Sequence, residues 1–182
     1  MNSTKSSVSL MFACTASGKM LPPYVVYKAK HLYDSWTEGG PSNTRYNRTD
    51  SGWFDSTTFE DWFFKVILPY ARSKEGKKII IGDNLASHVS LAVKSACEDH
   101  NISFVLLPPN STHLTQPLDV SVFGPMKTQW QSLLSEFKAT ALGRKCAALT
   151  KTEFPRQLAK LMEKLQKNQA KIIESGFRKC GI

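Results

Sequence analysis

An α/β fold is predicted for this 182-residue chain by three features: a hairpin signature near the N-terminus, an aromatic amphipathic helix after it, and a strand, helix, strand succession in the middle. Val8 to Thr15 and Leu21 to Tyr27 are rich in apolar and β-favouring residues, and Ala16-Ser17-Gly18-Lys19 between them supplies turn chemistry, so the two runs read as a β-hairpin. Pro22 and Pro23 belong at the start of the second strand, where a missing amide donor does least harm. Asp34 to Asp50 is polar and carries Gly39-Gly40-Pro41-Ser42-Asn43, which predicts a long exposed loop.

Phe59, Trp62, Phe63, Val66, Ile67 and Tyr70 recur at helical spacing, with Thr57 and Glu60 as a capping box and with Pro69 and Gly76 marking the end. A short buried strand, Lys78 to Ile81, follows. Val89, Ala92, Val93, Ala96 and Cys97 mark a second helix, and Ile102 to Leu107 a further strand. That order implies a parallel βαβ unit with Asp83 at the C-terminal end of its first strand. After the turn-rich Pro108 to Thr112, the residues Val122, Met126, Trp130, Leu133, Leu134 and Phe137 predict another helix, with Pro125 in its first turn and Asp119 in its approach, facing the mouth of the sheet. A last helix is expected from about Pro155, with Leu158, Leu161, Met162 and Leu165 on one face and Lys160, Lys164, Lys167 and Lys171 elsewhere.

A hydrophobic content of 41% in a chain of this length can bury a sizeable core. The excess of 24 Lys and Arg over 15 Asp and Glu gives a formal charge of +9, which suits a polyanionic partner and suits solubility equally. Cys14, Cys97, Cys146 and Cys180 lack framework spacing, and no signal peptide precedes the first strand, so an intracellular, reducing compartment is expected. No apolar run approaches the roughly 20 residues of a membrane span, and no membrane crossing is expected.

The chemistry concentrates in two aspartates. Asp83 follows the apolar run Ile79-Ile80-Ile81-Gly82, and Asp119 closes Thr115-Gln116-Pro117-Leu118-Asp119. Two carboxylates held at strand ends can share hard divalent ions, which points to phosphate chemistry on nucleic acid. One carboxylate must bridge an ion pair of that kind, and no Asp or Glu occurs before Asp34.

Gly82-Asp83-Asn84-Leu85-Ala86-Ser87-His88 and the segment from Pro108 to Asp119 together resemble the DDE endonuclease domain of pogo-like and Tigger/Jerky-like transposases, within the mariner superfamily. Gly52-Trp53-Phe54 and Ser175-Gly176-Phe177-Arg178-Lys179-Cys180-Gly181-Ile182 extend the resemblance over nearly the whole chain. It implies a ribonuclease H-like mixed sheet flanked by helices, in which three carboxylates bind two Mg²⁺ or Mn²⁺ ions, cut DNA with water and join a 3′-hydroxyl to target DNA. Asp83 and Asp119 match the second and third of these catalytic, metal-binding carboxylates, with Asn84, His88 and Gln116 in support. Val8 to Thr15 matches the family's second strand, so the first, central strand and its bridging Asp are expected to be missing, leaving two sheet fragments with open edges. Residues 1–150 would form a partial endonuclease core and residues 151–182 a basic helical extension of the same domain. The resemblance also implies DNA as partner and a nuclear location, and leaves homo-oligomerisation open. Activity of this chain by itself is not expected.

Other readings of the same residues stand beside this one. Asp83 and Asp119 could each serve as an N-cap, and His88 as a surface residue at a helix start. Asn84 and Gln116 could be structural only, and Cys97 with His100 makes only half of a zinc motif. Helical spacing favours core packing over base stacking for Phe59, Trp62 and Phe63. The tail lysines, with Lys164, Lys167, Lys171, Arg178 and Lys179 as candidate DNA contacts, could equally form a solvated helix face. The alternative function is a non-enzymatic nucleic-acid-binding or interaction module domesticated from a transposase.

Overall fold

The computed structural model describes residues 8–82 and 89–182. The predicted hairpin is present: β1 (Val8–Met11) pairs antiparallel with β2 (Tyr24–Lys28), from Val8 opposite Tyr27 to Met11 opposite Tyr24, and a Cys14 to Met20 bridge continues the ladder. The turn closes through Thr15 N–H to the Lys19 carbonyl at 2.8 Å and Gly18 N–H to the Thr15 carbonyl at 3.0 Å. Gly18 is required there twice over, since its φ is +82° and a Cβ would sit 2.8 Å from Ala170.

The stretch expected to be one exposed loop is only partly so. A 3₁₀ turn (Asp34–Trp36) opens it, and β3 (Arg45–Thr49) pairs in parallel with β2, giving the order β1-β2-β3. β3 is polar because polar contacts hold it. Arg45 donates from Nε and Nη2 to the two Asp61 carboxylate oxygens at 2.9 and 3.0 Å, and Asn47 Nδ2 donates to the Tyr24 hydroxyl at 2.8 Å. Tyr24 in turn donates to Asp61 at 2.6 Å. Burial opposes the Asp61 charge, but the hydrogen bonds from Arg45 and Tyr24 outweigh it and hold the carboxyl below its ordinary range.

The aromatic helix runs without interruption through α1 (Ser56–Trp62), a π-helical turn (Phe63–Ile67) and α2 (Leu68–Arg72). Its capping box is made by Asp55 and Thr58, displacing the expected Thr57 and Glu60: Thr58 N–H donates to Asp55 Oδ1 and Asp55 N–H to Thr58 Oγ1, both at 2.8 Å. An Asp two residues earlier offers the stronger acceptor for the open amides of the first turn. Pro69 sits inside this continuous helix, directly after the π-helical turn, and its missing N–H leaves a carbonyl of the preceding turn without its helical donor.

The βαβ unit is parallel, as the strand, helix, strand order requires. β4 (Lys78–Gly82) and β5 (Ile102–Leu106) pair in register from Lys78 opposite Ile102 to Gly82 opposite Leu106, joined through α3 (Leu91–Asp99). Helices then dominate: α4 (Thr112–Thr115), a π-helical turn (Leu118–Val122) leading into α5 (Phe123–Ala139), α6 (Ala141–Lys145), α7 (Phe154–Gln166) and α8 (Gln169–Lys179). The single last helix expected from Pro155 is therefore two, parted at Lys167 and Asn168, with the backbone leaving helical geometry at Asn168.

β2 explains the layering. Side chains alternate across a strand, so Tyr24 and Val26 enter one apolar cluster with Phe59, Trp62 and Phe63, while Val25 and Tyr27 enter a second with Leu133, Leu158 and Ile173. All four of these residues are fully buried, while Lys28 at the strand's end is exposed. The aromatic helix covers one side of the strand, and α5, α7 and α8 cover the other. The molecule is a mixed α/β structure whose described strands form two separate sheets, β1-β2-β3 and β4-β5.

Candidate functional site

The two sheets face each other across a cavity of about 440 Å³. One wall is the end of β1 and its continuation, Met11 to Ala16; the opposite wall is the whole of β4, Lys78 to Gly82. The aromatic helix contributes Trp62, Ile67, Tyr70, Ala71 and Lys74, and Gln116, Pro117, Leu118 and Phe177 line it from elsewhere. The cavity is mostly apolar, and burial pushes the Cys14 thiol in its wall up to about 11, so that side chain is a neutral thiol at physiological pH. A volume of this size falls within the range of ligand sites.

The two predicted acidic segments approach this cavity from different elements. Gly82, the last residue of β4, lines it directly before Asp83. Gln116, Pro117 and Leu118 line it directly before Asp119. Asp83, Asn84 and His88 themselves lie outside the described residues. Asp119 is exposed, in the first turn of the π-helical segment. Gln116 is half-buried. Its N–H donates to the Thr112 carbonyl at 2.9 Å and its own carbonyl accepts from Val120 N–H at 3.0 Å, so the backbone before Asp119 is fixed on both sides.

The Asp119 turn is clamped by α8, through a residue whose role at the site only packing discloses. Ser121 Oγ donates to the Pro117 carbonyl at 2.9 Å, and Gly176 of α8 lies so close that a Cβ there would meet Ser121 Oγ and come within 2.7 Å of the same carbonyl. Leu118 and Val122, on the inner side of the turn, pack into the second apolar cluster with Ile173. Wide turns of this π type recur at functional sites, because the extra residue re-aims the side chains around it.

Charge around the cavity is uneven. Lys19 and Lys74 both lie over the Tyr70 ring, at 5.1 and 5.4 Å from its centroid, and Lys78 Nζ donates to the Lys74 carbonyl at 3.3 Å. Three lysines thus crowd the end of the cavity where β4 begins. Trp62 is buried in the cavity wall, and its indole Nε1–H has no acceptor among the described residues.

The candidate DNA contacts fare unequally. Lys167, Lys171, Arg178 and Lys179 are exposed, whereas Lys164 Nζ donates to Glu136 Oε1 at 2.8 Å. Lys151, at the start of the basic tail, is committed elsewhere. It donates to the Lys28 carbonyl at 2.6 Å and stacks 4.4 Å over the Trp36 ring, and burial lowers its pKa. Phe59, Trp62 and Phe63 are core residues as their spacing predicts, while Trp53 is 68% exposed. Cys97 is buried in the first apolar cluster.

Among the described residues no group of three or more His, Cys, Asp or Glu side chains is gathered as a metal cage. The donors at hand beside the cavity, the Asp119 carboxylate and the Gln116 amide oxygen, are hard oxygen ligands of the kind Mg²⁺ and Mn²⁺ take. No helix among the described residues is long and apolar enough to cross a membrane.

The chain is similar to one known family and to several known proteins. The family described as DDE superfamily endonuclease matches residues 5–176. The chain is 25% identical over 190 residues to the mouse (Mus musculus) protein "Pogo transposable element with KRAB domain", covering 98% of this chain and 29% of that protein. The human (Homo sapiens) protein of the same description is 25% identical over 124 residues, covering 67% and 20%. A Cochliobolus lunatus protein described as "MFS-type transporter clz9" is 31% identical over 123 residues, covering 66% of this chain and 13% of its own length. The chain thus spans under a third of each of these relatives. No solved structure matches.

Proposed function

Because this chain belongs to the DDE superfamily of endonucleases, as a pogo-like domain, we propose that it is the metal-binding part of a DNA strand-cutting and strand-joining site, built around Asp83 and Asp119. The observation that carries this reading is the cavity: the residues directly preceding both aspartates line it, although they lie far apart in sequence. The donor chemistry is that of a hard divalent cation, and Gln116 stands where its amide can support Asp119. A pair of Mg²⁺ or Mn²⁺ ions, when bound, supplies the charge neutralisation and water activation that phosphodiester cleavage needs. The chain's own contribution is to fix the backbone leading to each aspartate, through β4 up to Gly82 on one side and the α8 clamp on the Pro117 turn on the other.

Two carboxylates do not complete such a site. Residues 1–33 hold no Asp or Glu, so a bridging carboxylate is not available from the N-terminal hairpin. We read the two separate sheets as the halves of a ribonuclease H-like sheet, parted where its central strand would lie; the open edges of β1 and β4 beside one cavity support this. Residues 1–150 form the partial core in this reading. Residues 151–182 form a basic extension of the same domain, which the packing of α7 and α8 against β2 supports. DNA is the partner and the nucleus the location, in keeping with the charge of +9 and with the pogo-like relatives. Phosphate contact falls to Lys167, Lys171, Arg178 and Lys179, and less to Lys164, whose ion pair with Glu136 competes.

The test is a nicking assay on supercoiled plasmid with Mg²⁺ or Mn²⁺, run on the chain and on Asp83→Ala and Asp119→Ala. Salt-sensitive DNA binding without cleavage is expected from the chain alone. Robust cleavage abolished by either substitution would overturn its incompleteness, and failure to bind DNA at low salt would overturn the DNA reading itself.

A further inference from the structure

The end of the molecule where β4 begins gathers cations from three separate stretches of chain. The turn after β1 carries Lys19, which shares the Tyr70 ring with Lys74, at 5.1 and 5.4 Å from its centroid. Lys78 Nζ donates to the Lys74 carbonyl at 3.3 Å, and Arg72 and Lys77 are exposed in the same run. Gly18, beside Lys19, packs against Ala170 of α8, which brings the exposed Lys167 and Lys171 to this turn. Acids are present at this end as well: Glu75, Glu174 and, next to the Asn101 carbonyl that accepts from Lys78 N–H, Glu98 and Asp99. None of them forms an ion pair among the described residues, whereas Arg45, Arg156 and Lys164 elsewhere are paired.

Two elements fix where this basic ridge lies relative to the aspartates. β4 runs from Lys78 to Gly82, so Asp83 follows its far end, about 13 Å away at the rise of a strand. α8 runs from Ala170 beside Gly18 to Gly176 beside the Pro117 carbonyl, about 9 Å along a helix axis. Both put the ridge at one end and the residues leading to Asp83 and Asp119 at the other. The tail cations divide accordingly, with Lys167 and Lys171 at the ridge and Arg178 and Lys179 at the Asp119 end of α8.

We propose that the ridge is a second, non-catalytic docking track, which takes the phosphate backbone of duplex DNA and holds it away from the ion-binding end. The inference rests on the DNA reading above and adds where a duplex is held. Cations brought onto one ring without carboxylate partners raise the local potential, and a polyanion relieves it. Tyr70, the aromatic ring in the ridge, is half-buried and lies under two lysines, so it is not an open face for an unstacked base. Ammonium groups are left to meet phosphates, which a duplex presents in a continuous row. A protein or membrane partner would call for apolar anchors among the charges, and the exposed residues 72–77, Arg-Ser-Lys-Glu-Gly-Lys, offer none.

The probe is a fluorescein-labelled duplex of about 20 base pairs and arbitrary sequence, titrated with the full chain by anisotropy at several salt concentrations, in EDTA so that no metal contributes. Lys19→Gln, Lys74→Gln and Lys78→Gln together should weaken binding about tenfold or more at low salt and reduce the slope of log K against log salt by roughly 2–3. Lys19→Arg, Lys74→Arg and Lys78→Arg together should keep both. The single strand of the same sequence, a polyglutamate peptide and phosphatidylserine vesicles should each bind less tightly than the duplex. Acetylation footprinting by mass spectrometry needs no variant to fold: on the unsubstituted chain the duplex should protect Lys19, Lys74, Lys78, Lys167 and Lys171. Duplex binding with an unchanged salt slope in the Gln triple, or protection at Lys179 with the ridge lysines as reactive as in the free chain, would overturn the ridge and leave the DNA reading standing. No duplex binding at low salt would sink both. Equal or tighter binding of the single strand, the peptide or the vesicles would rule out the duplex as occupant.

Discussion

The two sheets of this molecule are built from similar apolar strands and end in opposite conditions. β2 is closed on every side: β1 and β3 pair with its edges, the aromatic helix covers one face, and α5, α7 and α8 cover the other, so Tyr24, Val25, Val26 and Tyr27 are fully buried. β4 has one partner among the described strands, and Ile79 remains 57% exposed, with Val105 and Leu106 of β5 at 45% and 48%. An isoleucine run of this kind is the signature of a strand meant for the middle of a sheet. The contrast teaches that the chain's stability resides in the β2 layer, while its unfinished business lies along the β4 edge, beside the cavity that both acidic segments approach.

The largest expected effect sharpens that division. Tyr27→Ala should cost about 3–5 kcal/mol, because a fully buried aromatic leaves a cavity between β2 and the C-terminal helices. Ile79→Ala, on the half-exposed β4, should cost under about 1 kcal/mol. Urea unfolding measures both, and equal losses would break the comparison. Next in size is Gly176→Val, which drives a side chain into Ser121 and the Pro117 carbonyl and should cost about 1–3 kcal/mol. It should also displace the Asp119 turn, visible as amide chemical-shift changes over residues 116–122 with β4 little altered.

Asp61 gives a smaller, pH-dependent effect on the stable layer. Its carboxyl is held below its ordinary range, so the stability it contributes is present above the unfolded-state pKa and is lost as pH falls through the lowered, folded-state value. Asp61→Asn should cost about 1–2 kcal/mol at neutral pH and flatten the acid limb of the stability profile, with Arg45 half-exposed and solvent screening moderating the pair. An unchanged acid limb would show that β3 is held by something other than this network. The smallest effect is expected at Glu136→Gln. Its pairing with Lys164 lies at the solvent-exposed surface, so the melting temperature should not move, although relief of that pairing should strengthen low-salt DNA binding slightly.

What the sequence disclosed follows from what periodicity can carry. The hairpin, the aromatic helix and the parallel βαβ unit all bury regular apolar patterns, and all appear where Val8, Phe59 and Ile79 announced them. β3 escaped notice because Arg45-Tyr46-Asn47-Arg48-Thr49 is held by charge and hydrogen bonds to Asp61 and Tyr24, partners that no spacing rule brings together. The break at Lys167 and Asn168 was hidden in a run of lysines that suits a helix surface. At the candidate site, Asp83 and Asp119 stood out by their context, but the packing of Gly176 against the Asp119 turn is a relation between distant segments. Only its place in the Ser175 to Ile182 resemblance hinted that it matters.

In the proposed site both acidic segments meet one shared divalent-ion cluster. Fe²⁺ in place of Mg²⁺, with ascorbate and peroxide, generates hydroxyl radicals at the bound ion and cuts the nearby backbone, and mass spectrometry locates the cuts. Cleavage around Gly82–Asp83 and around Leu118–Asp119 in the same molecule, both lost in Asp83→Ala and both lost in Asp119→Ala, is the expected result. Cuts confined to one segment, or a pair of cuts of which each aspartate controls only its own, would contradict a common ion site.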